Sequence, residues 1–289
     1  MRVFVTGVNG FVAARLVRTL LAAGHEVRGT VRSADRLPAA LDGVQPIEWS
    51  LDRPLPADAL RGCDLAVHAA YSAARDAEQD NVAGTRTALF AARAAGVPRQ
   101  LFLSSFSAVP NAASAYGRMK FTLEQDFVGD GLTIVRPGLV TGRGGLFADM
   151  VASVRRLPVV PLPGGGHRPV PLIDCDDLAA SLLEIASTDR APAAVNLCYA
   201  ERPSLRALLQ AIARGLGRRR AMLTIPISVL LPPVRVLALF GLRFGVSPES
   251  LKAYRTNTED QHVSDYPAFT RPERTLDEVV QRALVPAHE

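Results

Sequence analysis

The stretch VFVTGVNGFVAARLVRTLLAAGHEVRGTVRS, from Val3 to Ser33, decides the fold class of this chain. β-Branched and apolar residues predict a strand over residues 2–6, and apolar residues at helical spacing predict a helix over 11–23. Gly24 follows that helix as a typical C-terminal glycine, and a second strand is predicted over 25–31. A strand, a helix and a strand within about thirty residues form one unit of a parallel sheet.

Two glycines, Gly7 and Gly10, lie between the first strand and the helix. Gly7 allows a tight turn, and Gly10 allows a phosphate to approach the helix N-terminus, where backbone N–H groups are unpaired. Ala13 stands where a third glycine is common, and it adds one methyl group to the packing of helix on strand. We predict a pyrophosphate-binding turn that includes Asn9; the alternative is a glycine-rich turn without a ligand.

The end of the second strand bears on which dinucleotide binds there. A carboxylate about twenty residues after the first glycine binds the ribose hydroxyls of NAD and repels the 2′-phosphate of NADP. Residues 29–33 are Gly-Thr-Val-Arg-Ser and contain no carboxylate. Arg32 can form charge-assisted hydrogen bonds with a 2′-phosphate, and Ser33 can donate another. The sequence therefore predicts NADP (NADPH) in preference to NAD, the alternative being that Arg32 is an ordinary surface arginine.

The alternation of strands and helices continues along the chain. Residues 64–70 and 99–105 are short apolar segments that predict strands, and the alanine-rich segment 81–95 between them predicts a helix. Such alternation predicts a parallel, doubly wound α/β sheet, which binds ligands at the carboxyl ends of its strands. Three small residues stand at such ends: Ala69, Ala70 and Ser105.

The segment SAYGRMKFTLE, residues 114–124, carries the candidate chemistry. Tyr116 and Lys120 are four apart in a predicted helix, so their side chains project from the same face. A phenol has an unperturbed pKa of about 10, and a neighbouring ammonium lowers it by favouring the phenolate. Tyr116 would then act as general acid towards a carbonyl, with Ser105 hydrogen-bonded to the same oxygen. The alternative is that Tyr116 and Lys120 are an ordinary pair of side chains on a surface helix.

Seven segments, in order along most of the chain, resemble motifs of the short-chain dehydrogenase/reductases, in particular their extended, epimerase/dehydratase-like branch. They are TGVNGFVA, VHAA, NVAGT, LFLSS, YGRMK, IVRPGLVTG and IDCDDLA. The resemblance implies a Rossmann-type doubly wound parallel sheet with a small, mostly helical C-terminal region that caps the substrate. It also implies NAD or NADP as the cofactor.

The resemblance further implies roles for individual residues. The catalytic triad would be Ser105, Tyr116 and Lys120. Lys120 would also hold the nicotinamide ribose. From the pyrophosphate to the nicotinamide, the residues that it places along the cofactor are Gly7, Gly10, Phe11, Val12, Ala69, Ala70, Lys120, Pro137 and Gly138.

Departures from the family pattern bear on the substrate. Ser105 and Tyr116 are only eleven positions apart, which is shorter than in the nucleotide-sugar members and implies a truncated loop over the substrate. Ser107 is a second candidate for the catalytic serine. Gly138-Leu139 stands where those members tend to have an asparagine that holds the sugar nucleotide's phosphates. These departures favour a neutral substrate over a charged sugar nucleotide.

Other reactive side chains suggest no further chemistry. His68 lies within an apolar strand and is expected to be a structural histidine bonded to the backbone. Cys63, Cys175 and Cys198 have the spacing of neither a disulfide framework nor a metal site. With no leader-like segment before the first strand, we expect a reduced, cytoplasmic protein without a metal.

The charge of the chain is moderately basic. Its 289 residues carry a net charge of +5, with arginines clustered at 155–156 and 218–220. Because aromatic residues are few and no nucleic-acid motif accompanies these clusters, we interpret them as solvated helix ends and expect no nucleic-acid partner. A hydrophobic content of 48% excludes a disordered chain.

The chain is long enough for one large α/β domain and a smaller part. We assign residues 1–142 and 169–198 to the dinucleotide-binding domain, and 143–168 and 199–289 to a cap that binds the substrate. Two helix starts are predicted in the cap, one with Ser204 as its N-cap and one with a capping box formed by Thr275 and Glu278.

An unusually apolar run, AMLTIPISVLLPPVRVLALFGLRFGV, starts at Ala221. Prolines interrupt it, and Arg235 and Arg243 follow, so the uncharged part is too short to span a bilayer. We expect it to cover an apolar substrate or to form a subunit interface, for instance in a homodimer, rather than to contact a membrane.

Three hypotheses remain open from the sequence. The leading one is an NADPH-dependent ketoreductase or the reverse dehydrogenase, which acts on a neutral, largely apolar small molecule. The second is a nucleotide-sugar epimerase or dehydratase that keeps its NAD(P) bound. The third is a non-catalytic protein that senses NADP on the same fold.

Overall fold

The computed structural model describes residues 1–56, 58–74, 77–239, 247–256 and 262–285. The chain divides into two units. Unit 1 comprises Met1–Ala108, Met119–Arg136 and Asp176–Val195. Unit 2 comprises Val109–Arg118, Pro137–Cys175 and Asn196–Glu289.

The strands are β1 (Arg2–Val5), β2 (Glu26–Val31), β3 (Val44–Glu48), β4 (Leu65–His68), β5 (Arg99–Leu103), β6 (Leu132–Pro137), β7 (Leu139–Thr141), β8 (Val159–Pro163), β9 (Leu172–Asp174), β10 (Ala194–Leu197) and β11 (Ala221–Ile225). The α-helices are α1 (Phe11–Ala22), α2 (Glu78–Ala94), α3 (Ala115–Glu124), α4 (Gly145–Arg156), α5 (Cys175–Ser187), α6 (Leu205–Gly215), α7 (Ile227–Leu239), α8 (Pro248–Thr256) and α9 (Leu276–Leu284). Short 3-10 helices cover Ala34–Arg36, Ala39–Leu41, Gly164–Gly166 and Tyr266–Ala268.

The chain forms a seven-stranded sheet in the order β10-β6-β5-β4-β1-β2-β3. β1 is parallel to β2 on one side and to β4 on the other, so that Val3 lies opposite both Val27 and Leu65. Val3, Phe4 and Val5 are fully buried, as expected of a parallel strand covered by helices on both faces. The predicted doubly wound α/β sheet is confirmed.

The helix that follows β1 has the predicted amphipathic pattern. Leu16, Val17 and Leu20 of α1 are buried at helical spacing, while Arg18 on another face is exposed. Gly24 follows the helix with φ +78°, a conformation that only glycine adopts without strain. The first strand–helix–strand unit therefore has the predicted elements, with boundaries within about two residues of the prediction.

Unit 2 contains two small parallel strand pairs, β7 with β9 and β8 with β11. Helix α6 packs on α9 and α4. The hydroxyl of Ser204 accepts a hydrogen bond from the Ala207 N–H at the start of α6. Thr275 and Glu278 form both hydrogen bonds of a capping box at the start of α9. The two predicted helix starts are confirmed.

The apolar run that starts at Ala221 forms β11 and then α7, which contains Pro232 and Pro233. Its last residues, 240–246, lie outside the described residues, as does the predicted interruption at Arg243. No helix in the described part of the chain is long and apolar enough to cross a membrane.

Candidate active site

In unit 1, the turn between β1 and α1 lies close to the ends of β2 and β4. Gly7 has φ +69°, and a Cβ there would lie 3.0 Å from the Cα of Ala70. The Gly7 N–H donates to the Thr30 hydroxyl at 2.8 Å, and the Gly10 N–H donates to the Gly7 carbonyl at 2.9 Å. A side chain at Gly7 would therefore force the turn away from the end of β4.

The N-terminus of α1 is open to a ligand's phosphate. Gly10 is the N-cap and supplies no side-chain hydrogen bond, and no acidic residue occupies the first turn. The N–H groups of the first turn, which includes Phe11 and Val12, have no acceptor within the helix. Ala13 is buried in α1, so the methyl group that replaces the third glycine is accommodated in the core.

Thr6 links this turn to the end of β4. The buried Thr6 hydroxyl accepts hydrogen bonds from the N–H groups of Ala69 and Ala70 at 2.9 and 3.0 Å. Sequence analysis missed this residue, although it directly precedes Gly7. It also missed Gly29, where a Cβ would lie 2.2 Å from the Val8 side chain.

The end of β2 is exposed, and the fold brings more charged side chains to it than residues 29–33 themselves contain. Arg32 follows β2 and is exposed. The Ser33 hydroxyl donates a short hydrogen bond to the Asp35 carboxylate, and the Ala34 N–H donates to the Glu48 carboxylate at 2.9 Å. Residues 29–33 contain no acidic side chain, but the fold brings two carboxylates beside Ser33.

Lys120 lies in α3 and is buried. Its ammonium donates to the Leu103 carbonyl at 2.6 Å and lies 4.7 Å from the centre of the Phe102 ring. Burial lowers the pKa of Lys120 from 10.5 to about 8, and the negative charge of Glu124 partly opposes that shift. The Lys120 ammonium thus lies at the end of β5 and loses its proton more readily than an exposed lysine does.

Glu124, one turn further along α3, is held by a buried polar network. It receives two hydrogen bonds from the Arg136 guanidinium, at 2.8 and 2.7 Å, and a short one from the Ser104 hydroxyl. The Glu124 side chain is 2% exposed and that of Arg136 is 18% exposed. Ser104 therefore supports the helix, and sequence analysis did not predict this network.

The two candidate serines are brought together in unit 1. The hydroxyls of Ser105 and Ser107 are 2.9 Å apart, and the Ser107 N–H donates to the Ser105 hydroxyl at 3.1 Å. Both side chains are half-buried. The serine alternatives of the sequence analysis thus form one hydroxyl pair beyond β5.

Tyr116 lies in the first turn of α3 and is half-buried. The Ser114 hydroxyl accepts from the Gly117 N–H at 3.0 Å, and the Glu249 carboxylate accepts from the Ala115 N–H at 2.6 Å. Glu249 also forms an ion pair with Lys252 at 2.6 Å. These contacts, all within unit 2, fix the backbone that carries Tyr116.

Pro137 and Gly138 belong to unit 2, where the chain leaves β6. The Gly138 N–H donates to the Leu197 carbonyl at 2.9 Å. A Cβ at Gly138 would lie 2.6 Å from the Pro171 carbonyl oxygen, so this close approach of two backbones requires glycine.

His68 has a structural role, but its partner differs from the expected backbone group. Its Nε2 lies 2.8 Å from the Gln100 side-chain oxygen, and its ring packs edge-on against Phe127. Burial lowers the pKa of His68 to about 4. The side chain is therefore neutral at physiological pH. Among the described residues, no group of three or more metal-ligating side chains is present.

Comparison with known proteins was made for the sequence and for the fold. A family model described as NAD(P)H-binding matches residues 7–142. Sterol demethylase protein B of Methylococcus capsulatus is 37% identical over 172 residues, which cover 49% of this chain and 52% of that protein. A putative dihydroflavonol 4-reductase of Synechocystis is 34% identical over 170 residues, covering 48% of this chain and 49% of that protein.

A third relative, from Stigmatella aurantiaca, is 4-hydroxy-2-methyl-3-oxo-4-farnesyl-3,4-dihydroquinoline-1-oxide ketoreductase. It is 40% identical over 114 residues, which cover 36% of this chain and 34% of that protein. The chain thus spans about half or less of the length of these relatives.

Two solved structures match nearly the whole fold. A nucleoside-diphosphate-sugar epimerase from Staphylococcus aureus has a TM-score of 0.77 at 15% identity, covering 97% of this chain and 100% of that chain. UDP-glucose 4-epimerase from Bifidobacterium longum, in complex with NAD+ and UDP, has a TM-score of 0.69 at 16% identity, covering 98% and 97%. These likenesses show the fold.

Proposed function

We propose that the chain is an NADPH-dependent reductase or dehydrogenase of the short-chain dehydrogenase/reductase superfamily, in its extended, epimerase/dehydratase-like branch. It interconverts the carbonyl and alcohol of a neutral, largely apolar small molecule. The observation that carries this proposal is the buried Lys120, whose ammonium donates to the Leu103 carbonyl one helical turn after Tyr116 in α3.

The turn at Gly7 fits the pyrophosphate of a dinucleotide. A Cβ at Gly7 or Gly10 would lie within 3.1 Å of backbone atoms of the protein itself, so the tight turn before α1 favours glycine at both positions. In the proposal Gly7, Asn9, Gly10, Phe11 and Val12 hold the pyrophosphate. Ala69 and Ala70 lie along the bound cofactor, which supplies or accepts the hydride.

Tyr116 is the proposed general acid. It donates its phenolic proton to the oxygen of the carbonyl being reduced, or accepts that proton in the reverse direction. Lys120 favours the phenolate by its positive charge and holds the nicotinamide ribose. Ser105, paired with Ser107, donates a hydrogen bond to the same substrate oxygen and orients it towards Tyr116. Pro137 and Gly138 are proposed to lie beside the nicotinamide.

The preference for NADPH rests on Arg32. Its exposed guanidinium is free to make a charge-assisted contact with a 2′-phosphate at the end of β2. Asp35 and Glu48 near Ser33 oppose that preference by charge, since both would repel a phosphate. Arg32 and the two carboxylates therefore decide the selectivity together, and we propose that the arginine dominates because its side chain is exposed.

The proposed substrate class rests on the names of the relatives and on the residue at position 138. The names of the relatives include a sterol demethylase protein, a dihydroflavonol reductase and a farnesyl-quinoline ketoreductase. Gly138 stands where a nucleotide-sugar enzyme would use an amide side chain. We propose a hydrophobic ketone or alcohol as the substrate, and a reducing cytoplasmic compartment for the protein, since the spacing of its three cysteines is not that of a disulfide framework.

The experiment is a substrate screen with the purified full chain. NADPH consumption is followed by absorbance against polycyclic ketones, steroid-like ketones and short aldehydes, with the corresponding alcohols and NADP+ for the reverse direction. We expect turnover with at least one polycyclic or steroid-like ketone and weaker turnover with short aldehydes.

Two outcomes would overturn the proposal. Oxidised cofactor that co-purifies tightly, without net NADPH consumption, would favour a nucleotide-sugar epimerase or dehydratase. NADPH binding without turnover of any ketone, aldehyde or nucleotide sugar would favour a cofactor-sensing protein.

A further inference from the structure

One face of the β8–β11 pair in unit 2 is apolar and exposed. The two strands are parallel, with Val159 opposite Ala221 and Pro161 opposite Leu223. Side chains alternate between the two faces of a strand, so these four residues and Ile225 share one face, which also contains the buried Pro163. We call these five residues the β8–β11 face.

On the other side of the pair, β8 packs into the protein, whereas Met222 and Thr224 of β11 are half-buried and exposed, respectively. Val160 and Leu162 are buried, at 2% and 0% exposure. On the β8–β11 face, by contrast, Val159 is 45% exposed and Leu223 is 56% exposed. Val229, in the first turns of α7, is 61% exposed. A strand normally exposes polar side chains on its outer face, so this apolar surface needs a partner.

Arginines flank one end of this face. Arg155 and Arg156 end α4, three residues before β8, and Arg218 and Arg219 precede β11 by two to three residues. Because β8 and β11 are parallel and in register from their first residues, both pairs reach the same end of the strands. We call these four residues the arginine cluster.

Arg220 ties the two arginine pairs together. Its guanidinium donates to the Val154 carbonyl at 2.8 Å and to the Arg155 carbonyl at 3.1 Å. The four side chains of the cluster are exposed, and none has a carboxylate partner among the residues that the structure describes. The cluster is thus a concentration of positive charge at one end of an apolar surface, with no carboxylate partner in the described part of the chain.

We propose that the β8–β11 face and the arginine cluster bind the surface of an anionic lipid bilayer. Apolar side chains that enter the headgroup region beside arginines that contact lipid phosphates are the two components of interfacial binding. This differs from the expectation that the apolar run covers a substrate or a subunit interface. The proposed lipid binding goes beyond the proposed reaction and does not depend on it.

Charge argues for a lipid surface over the other candidate partners. A second copy of the chain would bring its own arginine cluster towards the same surface, and like charges repel. A nucleic acid would satisfy the arginines but would leave Val159, Leu223 and Val229 facing a polar backbone. An anionic bilayer satisfies both the cations and the apolar side chains.

The experiment measures binding of the full chain to vesicles by flotation. Vesicles of phosphatidylcholine alone are compared with vesicles that also contain phosphatidylglycerol, at low and at high salt. We expect binding to the anionic vesicles, weakened but not abolished by salt because the apolar contacts remain. Each arginine near an anionic surface contributes about fivefold, so the double variant Arg218→Glu, Arg219→Glu should bind about twenty-five-fold more weakly or worse.

Matched control variants distinguish vesicle binding at this site from the general effects of net charge and of surface hydrophobicity. The control Arg18→Glu, Arg190→Glu changes the net charge equally at exposed positions of unit 1 and should retain most binding. Leu223→Ser should lower the salt-resistant binding several-fold, whereas Val128→Ser, at a site 70% exposed in unit 1, should not. All four variants alter exposed side chains, and thermal unfolding checks that they fold.

Three results would overturn the proposal. The first is no binding of the wild type to anionic vesicles at low salt. The second is a loss of vesicle binding in the Arg18→Glu, Arg190→Glu control that equals the loss in Arg218→Glu, Arg219→Glu. That result would mean that only the net charge of the protein matters. The third is a wild-type dimer in sedimentation that Leu223→Ser converts to a monomer, which would assign the face to a second copy of the chain.

Discussion

Two polar regions of unit 1 differ in how firmly their side chains are held. Glu124 and Arg136 form a network whose carboxylate is 2% exposed and whose hydrogen bonds come from three donor atoms. Arg32 and Ser33, at the end of β2, are on or near the surface, and Ser33 bonds only to a neighbouring loop residue, Asp35, among the contacts described.

The difference predicts different roles for the two regions. Buried polar groups are costly to disturb, because a lost partner leaves a charge without water. Exposed groups exchange their partners with water at little cost. We therefore expect changes in the buried network to affect stability and catalysis, and changes at Arg32 to affect only the choice of cofactor.

The largest effect is expected from Arg136→Met, which leaves the buried Glu124 carboxylate without its guanidinium. Removing one partner of a buried ion pair costs about 3 to 5 kcal/mol, and we expect a loss of that size in the free energy of unfolding measured with urea. The matched control is Arg86→Met, which breaks the 2.8 Å ion pair with Asp126, where the side chains are 41% and 23% exposed.

That control should cost about 1 kcal/mol or less, because the Arg86–Asp126 pair is at the surface. Equal losses for the two variants would contradict the contrast between a buried and an exposed region. So would an unfolding free energy of Arg136→Met that equals the wild-type value.

A pH-dependent effect of similar or smaller size is expected from Lys120. Its pKa is lowered from 10.5 to about 8, so the unfolded chain binds this proton more tightly than the folded one. Between about pH 8 and 10.5 the unfolded state therefore holds more protons, and this group's contribution to stability rises with pH by up to about 3 kcal/mol. Below about pH 8 both states hold the proton, and the contribution is constant.

The measurement is the unfolding free energy of the wild type minus that of Lys120→Met, at several pH values from neutral to alkaline. Taking the difference removes the titration of the tyrosines and cysteines that both proteins share. We expect the difference to increase above about pH 8. A difference that is flat, or that falls, would mean that the folded protein does not disfavour the ammonium.

The smallest effect is expected at the exposed region. Arg32→Glu removes a cation and adds a third carboxylate near Ser33, so it should weaken NADPH binding by about tenfold or more while leaving NADH binding nearly unchanged. Dissociation constants from cofactor fluorescence measure both. Arg190→Glu, at another exposed arginine of unit 1, should leave the ratio of the two constants at its wild-type value.

Unfolding free energy should be unchanged in Arg32→Glu, because the side chain is exposed. An unchanged NADPH to NADH ratio would place the recognition of the 2′-phosphate elsewhere. A wild type that already prefers NADH would mean that Asp35 and Glu48 outweigh Arg32.

Local features of the sequence predicted local structure well. The helix caps at Ser204 and Thr275, the glycine after α1 and the alternation that forms the parallel sheet all depend on residues close in sequence. The pairing of Ser105 with Ser107 could not be predicted, but both serines were candidates because both follow β5.

Contacts between distant residues could not be predicted in the same way. Glu124 and Arg136 belong to a helix and to the next strand, and only the fold brings their charges together. Glu48 reaches the loop after β2 because β2 and β3 are adjacent, a pairing that a single sequence does not specify. The same holds for the β8–β11 face, because the residues of the two strands are some sixty positions apart.

The most direct test of the proposed chemistry is the turnover number of Tyr116→Phe, measured with saturating NADPH and a ketone from the screen. The variant removes one hydroxyl and keeps the ring, so NADPH affinity should stay nearly unchanged. The turnover number should fall by about a hundred- to ten-thousand-fold, the usual contribution of a positioned general acid. Lys120→Met should lower both affinity and rate. If Tyr116→Phe keeps more than about a third of the wild-type turnover number, a loss far too small for a general acid, Tyr116 is not the proton donor and the proposed mechanism is wrong.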